Sequence, residues 1–128
     1  MPIVDELDIA FARQNAMRLA QRLGFRSAKV HRLATAVSEL ANNLHFHAQA
    51  GGTIRIGLVR ESGRVGIEVV SEDGGPGIAD LDLAMKDGYS TNHGLGGGLP
   101  GARRLMDDFS IASEVGVGTR IVARLWRP

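Results

Sequence analysis

The amino-acid sequence predicts an α/β protein in which antiparallel strands bury one face beneath helices. Three observations carry that expectation. Between Ala28 and Ala48 the apolar residues Val30, Leu33, Val37, Leu40 and Leu44 recur at three- and four-residue steps, the period of a helix with one buried stripe. Thr53 to Arg60 and Arg64 to Val70 alternate in apolar character on either side of Glu61-Ser62-Gly63, the pattern of a hairpin. Glycine, at 17 of 128 residues, is concentrated between residues 51 and 118, which suggests ligand-contacting loops more than disorder.

The totals bound the function classes. A length of 128 residues suits one domain with a real core. Mixed charge with a formal net value of +1 gives no strong field, so neither nucleic acid nor an anionic membrane is favoured as a partner. With no cysteine there is no disulfide framework, thiolate nucleophile or cysteine metal site. The opening Met-Pro-Ile-Val-Asp-Glu is acidic and lacks the apolar run of a signal peptide, and no stretch is apolar enough for a membrane helix, so a cytoplasmic location is expected.

Taken in order, Ile3 to Ile9 is a short mixed run that suits an edge strand. From Ala10 to Leu23 the pattern turns helical, with Ala12, Ala16, Leu19 and Leu23 on one side, and Gly24 stops it. Ser27 is a good N-cap for the helix of the apolar stripe. On that helix Glu39, Asn43 and His47 stand at i, i+4 and i+8, so they share a face bordering the stripe, as groups lining a partly closed pocket would. A solvated polar face is the plainer account of that spacing. Consecutive asparagines are poor helix formers, which favours a compensating role for Asn42 or Asn43.

The two strands of the hairpin follow. The second leads into Ser71-Glu72-Asp73-Gly74-Gly75-Pro76-Gly77-Ile78, where a carboxylate stands at a strand end and glycines let backbone approach a ligand. A carboxylate that accepts from an exocyclic amine, beside glycines that leave room for a flat ring, would form a purine pocket. An ordinary turn is the alternative. Ala79 to Lys86 suits a short helix. The long run Asp87 to Gly98 ends in glycines just before Leu99 and Pro100, and Pro100 suits a first helical turn. Free N–H groups at such a helix start favour a phosphate, although the run is neither a Walker A loop nor a dinucleotide fingerprint. Phe109 to Glu114 and Thr119 to Trp126 are two further strands, joined through Val115-Gly116-Val117-Gly118.

Glu39…Asn43, Asp73-Gly74-Gly75-Pro76-Gly77, Gly94-Leu95-Gly96-Gly97-Gly98-Leu99 and Gly116-Val117-Gly118-Thr119, in this order and with these elements between them, resemble the motifs of the GHKL ATPases over nearly the whole chain. Within that superfamily the chain looks like a small anti-sigma-type serine/threonine kinase, most like the RsbT-type switch kinases of stressosome signalling. Ser38-Glu39-Leu40-Ala41-Asn42-Asn43 and the passage Gly98-Leu99-Pro100-Gly101 carry that closer likeness. The resemblance implies the Bergerat fold, a two-layer sandwich of a mixed, mostly antiparallel sheet with helices on one face.

The resemblance also implies roles. Asn43 matches the asparagine that holds Mg²⁺ through a hard, neutral oxygen; Asn42, at i+3 from Glu39, is its neighbouring candidate. Glu39 matches the general base. Asp73 matches the adenine-binding aspartate, with Gly75, Gly77 and Ile78 around the base, and Thr119 matches the hydroxyl that completes that site. Gly94, Leu95, Gly96, Gly97, Gly98 and Leu99 match the segment whose backbone wraps the phosphates. No Arg or Lys lies between Ser90 and Gly98, so Mg²⁺ and backbone donors would offset transition-state charge. The implied activity is transfer of the γ-phosphate of ATP to a STAS-domain scaffold or antagonist protein, followed by activation of an output module such as a PP2C-type phosphatase. The competing reading is an anti-sigma factor, a nucleotide-dependent module that sequesters a sigma factor. A detached histidine-kinase ATP domain is disfavoured by the short lid and by the lack of a phosphoacceptor domain.

Overall fold

Asp5 starts the first helix by capping it. Its Oδ1 accepts hydrogen bonds from the Leu7 and Asp8 amides at 2.9 and 3.2 Å, and Asp8 Oδ2 accepts in return from the Val4 and Asp5 amides. This reciprocal box satisfies donors that a helix start leaves unpaired. Helix α1 therefore spans Glu6–Arg22, and the strand before it, β1, is only Pro2–Ile3. The edge strand expected over Ile3 to Ile9 is cut short because the Asp5 cap outcompetes the weak alternation of that run. At the other end, the Phe25 amide bonds the Ala20 carbonyl and the Gly24 amide the Gln21 carbonyl, with Gly24 at a φ of 79°. That pairing is a Schellman stop, which needs the left-handed conformation glycine adopts freely.

The computed structural model describes residues 1–47, 52–75, 85 and 98–128, with 46 and 47 described by their backbone alone. After α1 come α2 (Ser27–His47), β2 (Gly52–Glu61), β3 (Arg64–Asp73), α3 (Gly98–Leu105), β4 (Asp108–Glu114) and β5 (Gly118–Trp126). Expectations for Gly77, Ile78, the Ala79 to Lys86 helix and the glycines from Gly94 to Gly97 fall outside the described residues, apart from Met85, which is half-buried against the core.

The described strands form one sheet in the order β1-β2-β3-β5-β4, every neighbouring pair antiparallel. Glu61 pairs with Arg64 across a two-residue turn whose Ser62 and Gly63 both have positive φ, 52° and 78°. A turn of that kind matches the twist of the strands it joins. The register then sends Ile54, Ile67, Val69, Ile121, Ala123 and Leu125 to the face covered by the helices, where all are buried. The full apolar stripe of α2 joins them, together with Ala12, Ala16 and Ala20 of α1. Each buried Leu or Ile contributes roughly 1.5–3 kcal/mol by leaving water, so α2 is the central element of the core.

The outer face of the sheet has no helix over it among the described residues. Side chains cover it instead. Arg124 bonds Glu68, its partner across the β3–β5 ladder, at 2.8 Å and Glu61 at 2.7 Å. Glu72 is shared by Arg55 and Arg120. Trp126 lies over Gly66, where a Cβ would come within 2.7 Å of the indole, and the Arg64 guanidinium stacks on the ring at 4.0 Å.

Candidate active site

Three inward-facing side chains stand abreast at one end of the sheet. Asp73, the last residue of β3, pairs with Thr119 at the start of β5, and Thr119 pairs with Ser113 near the end of β4. Their spacing by two from Ser71, Ile121 and Ile111 puts all three on the helix side. Asp73 Oδ1 accepts from the Gly75 amide at 2.9 Å, a local turn that fixes one carboxylate oxygen. Thr119 is buried, at 7% exposure, and its hydroxyl lies 2.7 Å from that of Ser113. A cleft of about 350 Å³ opens here, lined by Asp73, Ser113, Val117, Gly118 and Thr119 among others. That volume falls in the range of small-molecule sites. Gly118 is required at its wall: its φ is 141°, and a Cβ there would overlap the Asp73 carbonyl.

The helices close the same end. Helix α2 carries Glu39 and, one turn later, Asn43. Glu39 is almost fully buried at 2% exposure, Asn43 is half-buried, and the following residue, Leu44, reaches the Gly52–Asp73 strand pair. A Cβ added to Gly52 would lie 2.5 Å from the Leu44 methyl and 3.2 Å from Asp73 Cβ. The C-terminal half of α2 thus borders the Asp73 end of the sheet.

Helix α3 lies along α2 and is held at both ends. The Gly98 amide at its start donates to Glu39 Oε2 at 3.1 Å, and Arg32 Nε donates to the Leu105 carbonyl at its end, also at 3.1 Å. Seven residues separate the two contacts on each helix, about 10.5 Å of rise on both, so the helices dock antiparallel in matched register. The pairing puts a carboxylate at the positive end of α3 and a guanidinium at its negative end, the favourable sense for both. Ser38, beside Glu39, is also buried; its hydroxyl donates to the Ala34 carbonyl and accepts from Arg13 of α1 at 3.4 Å.

Asp73 and Thr119 line the cleft, with Gly75 bonded to Asp73, while Glu39, Asn43, Gly98 and Leu99 lie on α2 and at the start of α3. Leu99 differs from the rest because its side chain is buried in the hydrophobic core, leaving only its backbone to face a ligand. Gly77, Ile78 and Gly94 through Gly97 lie outside the described residues. Two further contributors, Ser113 and Arg32, lie outside the sequence motifs, whereas Gly118 belongs to Gly116-Val117-Gly118-Thr119. Counting back from the Glu114-to-Gly118 turn would have paired Ser113 with Thr119, because a hairpin's register follows from its turn. Arg32 had no such signal, since its partner is set by helix docking alone.

The donor set suits Mg²⁺. The ion takes few protein ligands and prefers hard oxygens, and Asn43 offers a neutral amide oxygen one turn from the Glu39 carboxylate. Among the described residues no group of three His, Asp or Glu side chains forms a metal cage of its own. No helix among them is long and apolar enough to cross a membrane.

The chain belongs to the histidine kinase-like ATPase domain family, whose profile matches residues 5–125. It is similar to the serine/threonine-protein kinase RsbT of Bacillus subtilis (strain 168), with 47% identity over 97% of this chain and 92% of that protein. It is more distantly similar to anti-sigma F factors. The one from Clostridium acetobutylicum is 31% identical over 90% of this chain and 82% of its own length, and the one from Thermoanaerobacter sp. (strain X514) is 29% identical over 88% and 80%.

Proposed function

We propose that this protein is a serine/threonine protein kinase of the stress-signalling switch type. It transfers the γ-phosphate of ATP to a STAS-domain scaffold or antagonist protein in the cytoplasm, and it then activates an output module such as a PP2C-type phosphatase. The observation that carries the reading is the fixed position of Glu39, buried on α2 and bonded to the first amide of α3. The likeness to a serine/threonine kinase at 47% identity supports the same reading over the anti-sigma alternative, where identity is 31%.

In this mechanism Asp73 accepts a hydrogen bond from the exocyclic amine of adenine, and Thr119 meets the ring beside it. Val117, at 61% exposure on the cleft wall, supplies apolar surface for the base. The backbone of Gly94 to Leu99 wraps the phosphates. Asn43 would hold Mg²⁺, which when bound neutralises phosphate charge and orients the γ-phosphoryl group. Glu39 accepts the proton of the substrate serine or threonine as its oxygen forms a bond to the γ-phosphorus. The bond from that phosphorus to the bridging oxygen breaks, and its electron pair leaves with ADP.

Incubation of the protein with Mg-ATP and a STAS-domain protein from the same organism, followed by mass spectrometry of the latter, tests this reading. A phosphoserine or phosphothreonine is expected. With Glu39→Ala, ATP binding should persist while phosphotransfer falls by about 10²–10⁴-fold, the usual contribution of a general base. ATP binding with no phosphate transferred would overturn the kinase reading in favour of a nucleotide-dependent anti-sigma module, to be sought by sigma-factor capture.

A further inference from the structure

We propose that Arg32 is a positioning residue for phosphotransfer: by pinning the end of α3 to α2, it keeps the start of α3 on Glu39. The inference rests on Glu39 being the general base proposed above. Arg32 is half-buried on α2, and its Nε donates to the Leu105 carbonyl at 3.1 Å. Leu105 is the last residue of α3, where helical carbonyls lack an intrahelical partner and carry partial negative charge. A guanidinium there supplies both a donor and the favourable sign. About two turns further along α2, Glu39 Oε2 accepts from the Gly98 amide at 3.1 Å.

The body of α3 fixes its place along α2 only weakly. It is eight residues long, about 12 Å, and too short to hold itself as a helix. Its buried residues are Leu99, Pro100, Gly101 and Ala102. Three of the four are small or compact, so they raise little of the ridge that sets register between packed helices. Just past its end the Asp107 amide donates to the Arg124 carbonyl at 2.9 Å, which ties the chain leaving α3 to β5. The Arg32 bond is the tie to the other layer, to the helix that carries Glu39. Without it α3 stays joined to the sheet but loses its register on α2, and the spacing of Glu39 from Gly98 is no longer held. A carboxylate has about four acceptor sites, so further bonds to Glu39 coexist with this one; they would hold the carboxylate and not α3. A general base must meet the substrate hydroxyl within hydrogen-bond reach, and a misplacement of about 1 Å costs about 10²-fold. The cleft at Asp73 is lined by residues of β3, β4, β5 and their turn, with none from α3. Loss of Arg32 should therefore act on turnover and spare the base site.

Arg32→Met keeps an apolar stem and removes the donor. Phosphate transfer to a STAS-domain protein at saturating Mg-ATP is expected to fall by about 10–100-fold, while adenosine affinity, measured by calorimetry, stays at the wild-type value. Arg32→Lys can donate to the same carbonyl from a positive group and should recover most of the rate. Exchange of the Gly98 amide, followed by NMR, should quicken in Arg32→Met while the amides of Leu33 to Leu40 keep their protection. A merely structural loss would quicken both and weaken adenosine as well. Gly63→Ala, strained at the far hairpin, is the control and should transfer phosphate at the wild-type rate. In a Glu39→Ala background, Arg32→Met should lower the residual transfer little further. Unchanged transfer or unchanged Gly98 exchange in Arg32→Met would overturn the proposal, and so would an equal fall with and without Glu39. A wild-type protein that binds ATP but transfers no phosphate would sink the kinase reading itself, and this inference with it.

Discussion

On the outer face of the sheet, Glu61, Glu68 and Glu72 meet Arg55, Arg64, Arg120 and Arg124 in the open, as cross-strand pairs with side chains partly or largely exposed. On the inner face the polar side chains are few and buried: Ser38, Glu39, Ser71 and Thr119. Ser71 and Thr119 neighbour Asp73 in the sheet, Ser38 and Glu39 are adjacent on α2, and no buried side-chain polar atom among the described residues lacks a partner. The difference lies in how much each group matters. An exposed pair is screened by water and salt and contributes little. A buried hydroxyl or carboxylate costs free energy unless its partner is in place. The outer face can therefore be redrawn piecemeal, whereas the inner polar groups depend on one arrangement of five elements.

Four substitutions sharpen that contrast. Leu44→Ala, at the junction of α2 with the Gly52–Asp73 strand pair, is expected to cost about 2–5 kcal/mol of stability, as buried leucine truncations do. Chemical denaturation would show it, and nucleotide affinity should fall with it because the cavity opens beside Asp73. Asp73→Asn is expected to leave the melting temperature close to that of the wild type, since the asparagine oxygen still accepts from the Gly75 amide. ATP affinity should drop by one to two orders of magnitude, from loss of about 1.5–3 kcal/mol in a charge-assisted hydrogen bond. Titration of folded variant protein that matched the wild type would remove Asp73 from the base site.

At the far hairpin, Gly63→Ala forces an alanine to a φ of 78° and should cost about 1–2 kcal/mol, with ATP affinity unchanged. A change in affinity there would show that the two regions are coupled. Smallest of all, Arg124→Ala gives up contacts to Glu68 and Glu61 and should lower the unfolding midpoint only slightly. Its deficit should shrink further in high salt, when unfolding of both proteins is compared at two ionic strengths.

The same contrast explains what could be read without coordinates. The α2 stripe, both hairpins and the acidic strand end at Asp73 announce themselves through local periodicity and turn chemistry, which are properties of neighbouring residues. The start of α1 is hard to read because Ile3 to Ile9 mixes polar and apolar residues, and the capping pair Asp5 and Asp8 uses aspartate where glutamate is commoner at the second position. Glu39 and Asn43 were legible as one helical face. That Glu39 would bond the start of α3 was not, because the contact spans 59 residues and depends on helix docking. The Ser113–Thr119 pair lay between these cases, since it follows from strand register once the turn is placed.

Strand β5 has a consequence for how the chain is made. It lies between β3 and β4 yet follows both in sequence. During synthesis the α2 stripe, the first hairpin and β4 are all complete before Ile121, Ala123 and Leu125 exist to fill the gap between them. Until then β3 presents an open edge, and its buried positions Ile67 and Val69 lack the neighbour they will have in the finished sheet. An unpaired edge of that kind is a template for wrong pairing. Closing it also requires contacts between residues far apart in the chain, which form slowly. Folding of this protein is thus committed only after β5 is translated, and a ribosome stalled between Glu114 and Gly118 would hold a nascent chain with its core prepared and an interior strand missing.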